Sequence, residues 1–311
     1  GLLNKGHLVA WEQLPLVNYN TIKNVSAEVQ AGSLANIPAF EKVNETDDRV
    51  EIVGRDFKIK FSKKRGTLES WIWNGKEYLL KGPRPNFWRT PIDNDFGNKM
   101  PQRLAVWKDA TDHQIIGEIR VTIKDDLVGI RVSYEYPDIG SKGEIVYSIY
   151  GNGRILVNHS FEPNMPELPN LPKFGVTMEI PKEYNNLTWF GRGPHENYWD
   201  RQSSAKVDIY SGKVSEQYHP YVRPQENGNK TDVRWATLRN DRGEGIMVTG
   251  LLSLNASHFK PEDFDHGFER SQNGTNENIK VTKKSMHTID LVERDLVHLD
   301  IDHLQMGVGG E

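Results

Sequence analysis

An all-β fold, a large antiparallel sandwich, is what the sequence predicts, and three observations point to it. Short alternating strands follow one another from residue 49 onward, with glycine turns between them. Long amphipathic helices are scarce; only residues 101–108 and the step Pro261-Glu262-Asp263-Phe264 suit a short helical turn. No fixed-period repeat runs through the chain, which argues against a propeller. Residues 49–311 far exceed the roughly 100 that an immunoglobulin-like sandwich needs, so the sandwich is an unusually large one.

In chain order, Gly6-His7-Leu8-Val9-Ala10-Trp11-Glu12-Gln13-Leu14-Pro15-Leu16 reads as one strand with nothing nearby to pair with. Residues 1–30 are therefore expected to be the remnant of a preceding β domain, and the missing initial Met suggests an excised piece. Residues 31–48 are small and polar and read as a linker. Asn44-Glu45 has the look of a glycosidase acid/base pair, but a catalytic carboxylate should end a buried strand and face a pocket, which this setting does not offer. From residue 49 the pattern sharpens. Phe57, Ile59 and Phe61 alternate with polar residues, and Asn74-Gly75 supplies a type I′ hairpin turn. Val128, Ile130, Val132, Tyr134 and Tyr136 form the clearest alternation. Hairpins flank Gly151-Asn152-Gly153, Asp241-Arg242-Gly243 and Asn273-Gly274, and Val297, Leu299 and Ile301 form one more alternating strand near the end.

Composition narrows the function. The 311 residues are 36% hydrophobic and 26% charged with a net charge of -4, so no basic face invites nucleic acid. There is no cysteine, which excludes disulfides, thiolate zinc sites and a cysteine nucleophile. No apolar run approaches a membrane span. The compartment stays open between cytoplasm and periplasm. A phosphate loop, His-Glu-x-x-His and Gly-x-Ser-x-Gly are all absent, and His258, Asp263, Asp265 and His266 match no zinc spacing.

Four stretches are dense in polar groups. Trp189-Phe190-Gly191-Arg192-Gly193-Pro194-His195-Glu196-Asn197-Tyr198-Trp199-Asp200-Arg201 fits neither helix nor strand period. It suits either a corner tied together by charge-assisted hydrogen bonds or a sugar-contacting loop, with aromatics for the C–H face and Asn and Glu for hydroxyls. Arg89-Thr90-Pro91-Ile92-Asp93-Asn94-Asp95-Phe96-Gly97 groups three oxygen donors. The EF-hand register fails, because position five is Gly97 and position twelve Leu104, leaving a looser calcium or sodium site or a capped turn. Pro220-Tyr221-Val222-Arg223-Pro224-Gln225-Glu226-Asn227-Gly228 repeats the grammar of proline, Glu-Asn and turn. His303-Leu304-Gln305-Met306-Gly307-Val308-Gly309-Gly310-Glu311 closes the chain.

Together and in this order, these stretches resemble the C-terminal region of glycoside hydrolase family 2 β-galactosidases. The piece Gly6 to Gln13 resembles the final strand of the immunoglobulin-like domain that precedes that region in the family. The resemblance implies a galactose mutarotase-like β-supersandwich over residues 49–311, with its last strands missing. It implies no catalytic residue and no metal ligand in this chain. The catalytic glutamates, magnesium and sodium would belong to a barrel domain elsewhere in the parent. It also implies that Asn94, Asp95, Gly97, Lys99 and Arg103 form a mobile loop at the active-site mouth, with Gly97 as pivot. Arg89, His195, Glu196, Asn197, Glu226 and Asn227 are the candidate carbohydrate-facing residues. Expected partners are the remaining domains of the parent, which is expected to be a homo-oligomer, and galactose or a β-galactoside. An independent carbohydrate-binding module and a mutarotase-like epimerase, using His195 with Glu196 or Glu226, are the alternatives.

Overall fold

The computed structural model describes residues 4–14, 36–264, 268–269, 282–283 and 287–309. The chain divides into Gly1–Ile37 and Pro38–Glu311. In the first unit, residues 4–14 hold a turn and no strand, with Leu8, Val9 and Leu14 exposed. The expected strand is therefore not formed among the described residues. A strand needs a neighbour for its N–H and C=O groups, and none is described there. Residues 15–35, including the start of the expected linker, lie outside the described residues.

The rest of that linker needs correcting. Lys42–Glu45 is strand β1, paired antiparallel with β2, Arg49–Val53. Val43 packs against the core while Lys42, Asn44 and Glu45 stay exposed, so one apolar residue among polar neighbours hid the strand. Glu45 bonds Lys63 at 2.7 Å on the surface. With β3 (Phe57–Ser62), β4 (Thr67–Trp73) and β5 (Lys76–Glu77) these strands make a five-stranded sheet. Asn74 and Gly75 both take positive φ, 48° and 77°, as the predicted I′ turn requires.

A second sheet has the order β10-β9-β8-β7, from β7 (Ile115–Ile123), β8 (Leu127–Tyr136), β9 (Ser141–Tyr150) and β10 (Ile155–Glu162). Val128, Ile130, Val132, Tyr134 and Tyr136 all point inward as read. The third sheet has seven strands in the order β13-β12-β14-β15-β18-β11-β6. They are β6 (Lys81–Asn86), β11 (Lys173–Pro181), β12 (Asn186–Gly193), β13 (Lys206–Lys213), β14 (Lys230–Arg239), β15 (Gly245–Ser257) and β18 (Leu296–Gln305). Residues 268–269 and 282–283 form the short pair β16–β17; the Asn273-Gly274 turn lies outside the described residues. Among the described residues every pairing is antiparallel and no barrel closes, so the all-β sandwich stands.

One apolar core joins the three sheets. Phe61 meets Tyr147 edge-on at 5.5 Å between the first and second, and Phe87 joins Tyr136 and Phe174 between the second and third. Each such buried ring contributes about 1.5–3 kcal/mol. β6 carries Pro83 and Pro85 and occupies a sheet edge, where missing N–H donors cost least. It passes so close to β4 that a Cβ at Gly82 would lie 2.3 Å from the Leu68 carbonyl. Three helical pieces follow β6: α1 (Asp93–Gly97), α2 (Met100–Arg103) and α3 (Ala105–Asp112). Leu104 and Trp107 bury against the core. A fourth, α4 (Pro261–Phe264), fits the predicted step. No described helix is long and apolar enough to cross a membrane.

β18 is a strand as read, and it is buried on both faces. Val297 and Leu299 face the core as expected, but His298, Asp300 and Asp302 on the opposite face are buried too. The strand lies inside the sheet between β15 and β11, with both faces covered.

Candidate functional site

The loops at one end of the seven-stranded sheet bring all four dense stretches together. Arg89 is fully buried. It donates to both carboxylate oxygens of Asp95 at 2.6 and 3.2 Å, to the Thr90 carbonyl at 3.1 Å and to the Gly307 carbonyl at 2.9 Å. Asp95 also accepts from the Ile92 N–H at 2.8 Å, capping α1. Asn94 donates to the Val308 carbonyl at 2.9 Å. Asp200 accepts from the N–H groups of Val308 and Gly309. A Cβ at Gly307 would lie 2.5 Å from the Asp200 carboxylate, so this glycine is required by close approach. Asp93 pairs with Arg223 at 2.9 Å and receives Gln225 at 3.1 Å, while Arg223 lies 4.0 Å over the Phe96 ring.

The Trp189–Arg201 corner works the same way. Glu196 accepts from the Gly228 N–H at 2.8 Å and binds both Tyr221 and Arg201. Asn197, fully buried, accepts from the Thr231 N–H at 2.8 Å and hydroxyl at 2.6 Å, and donates to the His195 carbonyl at 3.0 Å. Its two glycines serve packing, not positive φ. A Cβ at Gly191 would meet Val233 at 2.9 Å, and one at Gly193 would meet the Tyr210 ring at 2.7 Å.

These contacts correct the expected carbohydrate-facing set. Arg89, Asn197 and Asn227 are buried with their polar atoms turned inward; Asn227 accepts from the His219 N–H and donates to the Gln225 carbonyl. His195 is exposed and bonds Ser204 at 3.0 Å. Of this set, Glu226 alone lines a cleft at this end, an open space of about 190 Å³ shared with Asp93, Asn94, Tyr198, Arg201 and Tyr221. In the expected mouth loop, Asn94, Gly97, Lys99 and Arg103 are exposed and Asp95 is not. Lys99 takes a left-handed φ of 62°, and Arg103 bonds back to Asn98. Asp95 is committed to Arg89 and Asp93 to Arg223, and among the described residues no three His, Asp or Glu gather to hold a metal ion.

A buried charge cluster behind Glu226 escaped the sequence reading. Lys173 pairs with Asp300 at 2.8 Å and with Asp302 at 3.3 Å, and Glu226 accepts from Gln305 at 3.2 Å and Asn255 at 3.3 Å. Burial opposes the Lys173 charge, but Asp300 and Asp302 outweigh it and hold its pKa above the usual range. Burial likewise opposes ionisation of Asp300, yet Lys173 holds its carboxyl well below the ordinary value. Asp302 is pushed up to about 8, by burial first and then by the charges of Asp300 and Glu226 against the pull of Lys173. Burial also raises Glu226. The signal for this cluster was a period-two polar stripe, His298-x-Asp300-x-Asp302, inside an apolar strand.

Comparison with known proteins now decides the family. The family described as "Beta galactosidase small chain" matches residues 53–311. The chain belongs to the β-galactosidase small-chain family. It is 34% identical over 98% of its length to a β-galactosidase of Priestia megaterium, covering 27% of that protein. It is 35% identical over 74% of its length to one from Lactobacillus delbrueckii subsp. bulgaricus, covering 23% of it, and 29% identical over 99% to one from Streptococcus thermophilus, covering 27%. This small-chain sequence thus spans about a quarter of the length of the curated relatives it matches.

Proposed function

We propose that this chain is the non-catalytic C-terminal part of a family 2 β-galactosidase, and that it scaffolds the enzyme and completes the mouth of an active site built elsewhere in the parent. The carrying observation is the small-chain match over residues 53–311, alongside relatives about four times longer that are named β-galactosidase. Retaining hydrolysis needs two carboxyl groups about 5–5.5 Å apart, one on each side of the bond that breaks. The two glutamates beside the cleft are engaged otherwise. Glu196 sits in the Arg201–Tyr221 network, and Glu226 is buried against Asn255 and Gln305.

The mouth is assigned to Asn94, Gly97, Lys99 and Arg103, which stand exposed on and after α1. Gly97 has ordinary φ and a Cβ there would meet nothing, so its freedom is not used up by the present conformation. On this reading the magnesium and sodium sites belong to the parent's barrel, and the parent assembles as a homo-oligomer. The direct test is a chromogenic β-galactoside assay. The 311-residue chain alone should show no turnover, and adding the remainder of the parent should restore it. Turnover by the chain alone would refute the assignment. A second reading, sugar binding by this chain itself, is favoured by the polar cleft around Glu226, Tyr198 and Asn94. It predicts heat on titrating millimolar galactose into the isolated chain. The epimerase alternative gains no such support, because His195 turns to Ser204 and away from an acid–base partnership.

A further inference from the structure

The hairpin tip between β4 and β5 carries an Asn-Gly pair that the loop-end site does not use. The chain has four such pairs, beginning at Asn74, Asn152, Asn227 and Asn273, and the last lies outside the described residues. In Asn-Gly a side-chain amide stands next to the least hindered main-chain nitrogen, because glycine has no Cβ to block the approach. Whether the two groups react depends on what else holds them.

At Asn227 and Asn152 the partners are held. Asn227 is buried; its Oδ1 accepts from the His219 N–H at 3.1 Å and its Nδ2 donates to the Gln225 carbonyl at 2.9 Å. The Gly228 N–H donates to Glu196 at 2.8 Å. Asn152 is exposed, but its Oδ1 accepts from the Arg154 N–H at 3.2 Å, and the Gly153 N–H donates to the Tyr150 carbonyl at 2.8 Å. Gly153 is also packed in, since a Cβ there would lie 2.2 Å from the Trp73 ring. Asn74-Gly75 differs on every count. Both residues are exposed, and neither the Asn74 side-chain amide nor the Gly75 N–H has a hydrogen-bond partner among the described residues. A Cβ at Gly75 would meet nothing within 4 Å. Two ladder pairs close the tip, Ile72 with Glu77 and Trp73 with Lys76. Glu77 is anchored behind it, accepting from the Ser70 hydroxyl and, at 2.7 Å, from the Trp71 N–H, so the turn can open without disturbing the strand.

We propose that Asn74 is a site of spontaneous deamidation, at which the Gly75 nitrogen attacks the Asn74 side-chain carbonyl carbon. A bond forms between that nitrogen and Cγ, the Cγ–Nδ2 bond breaks, and the amide leaves as ammonia with the proton that Gly75 gives up. The five-membered imide then takes up one water. Opening at Cγ leaves aspartate; opening at the main-chain carbonyl leaves isoaspartate, with the chain running on through Cγ. The two products differ in effect. Aspartate keeps the hairpin, because Asp-Gly suits a type I′ turn as Asn-Gly does. Isoaspartate adds a carbon to the main chain of a two-residue turn and moves Lys76 out of register with Trp73, away from its ion pair with Glu244 in the turn between β14 and β15.

The test uses the full-length protein that contains this chain, aged at mildly alkaline pH both natively and in urea, then digested with trypsin and mapped by mass spectrometry. Asn74, Asn152 and Asn227 fall in three different peptides, residues 66–76, 143–154 and 214–230. In the native protein Asn74 should exchange NH for O about tenfold faster than Asn152 or Asn227, while in urea the three rates should converge to within about threefold. A native rate at Asn74 no higher than at the other two overturns the proposal. So does a tenfold order that persists in urea, which would place its cause in the neighbouring sequence and not in the fold. An isoaspartyl methyltransferase should label the aged 66–76 peptide, and a mass gain there without label overturns the isoaspartate branch.

Discussion

Arg89 and Asp302 are both fully buried charges, and they differ in how completely they are matched. Arg89 meets its opposite charge in a two-point contact and spends two further hydrogen bonds on backbone carbonyls, with only Nε lacking a partner. Asp302 shares one lysine with Asp300 and Glu226, and neither of its oxygens accepts a hydrogen bond. Buried charge is tolerated only when it is neutralised and hydrogen-bonded. The first site meets that condition through geometry. The second meets only half of it, through an upward shift that favours the neutral carboxyl. One therefore acts as a staple between the two ends of the domain, and the other as a pH-dependent element within the fold.

Breaking the staple should produce the largest effect. Arg89→Ala leaves Asp95 buried without a counter-charge and frees the Gly307 segment, and should cost about 3–5 kcal/mol in urea denaturation. Asp95→Ala should cost a similar amount, since it also removes the cap of α1. The Asp302 side of the comparison is sharpened by pH. The native state holds a proton that the unfolded chain releases near the ordinary value of 3.8, so the contribution of this group is full below about pH 4 and declines as pH rises toward 8. Asp302→Asn should flatten that decline and leave the protein more stable than wild type at pH 8, on the order of 1–3 kcal/mol, read from denaturation midpoints across pH 5–9. A decline unchanged by the substitution would place the proton elsewhere. Next in size, Gly307→Ala forces the Asp200 carboxylate off its two N–H donors and should cost about 1–2 kcal/mol. Smallest of all, Lys99→Ala should shift stability by less than about 0.5 kcal/mol, and any effect should fall on KM of the full enzyme.

Much of the sandwich was legible because its signals were local. Asn74-Gly75 could be placed from two residues, and the alternation from Val128 to Tyr136 needed only one strand's worth of sequence. The meeting of the four polar stretches was readable as a pattern but not as geometry. Nothing in the chain said that Asp200 would hold the backbone at Val308, or that Arg89 would disappear beneath Gly307. The Lys173 cluster was illegible for the same reason, since its members come together only through the pairing of β11 with β18. Composition misled in two places. Lys42–Glu45 looked like linker because one inward Val43 cannot display a period. Gly191 and Gly193 fall in a stretch that fitted no strand period, whereas they belong to β12 and are small because Val233 and Tyr210 leave no room. The helical pieces over residues 93–112 read as turns because each is short.

The prolines of β6 have a consequence for assembly. Pro83 and Pro85 remove two donors from that edge, and the Pro83 carbonyl is already taken by the Tyr147 and Thr67 hydroxyls at 2.7 Å each. The seven-stranded sheet is closed to further pairing on that side. At the other margin β13 has no described strand beyond it, but the Ile209 and Lys213 N–H groups already donate to Asp208 at 2.8 Å and Glu216 at 2.7 Å. Both described margins are thus blunted by different means, proline on one side and side chains folded back onto the backbone on the other.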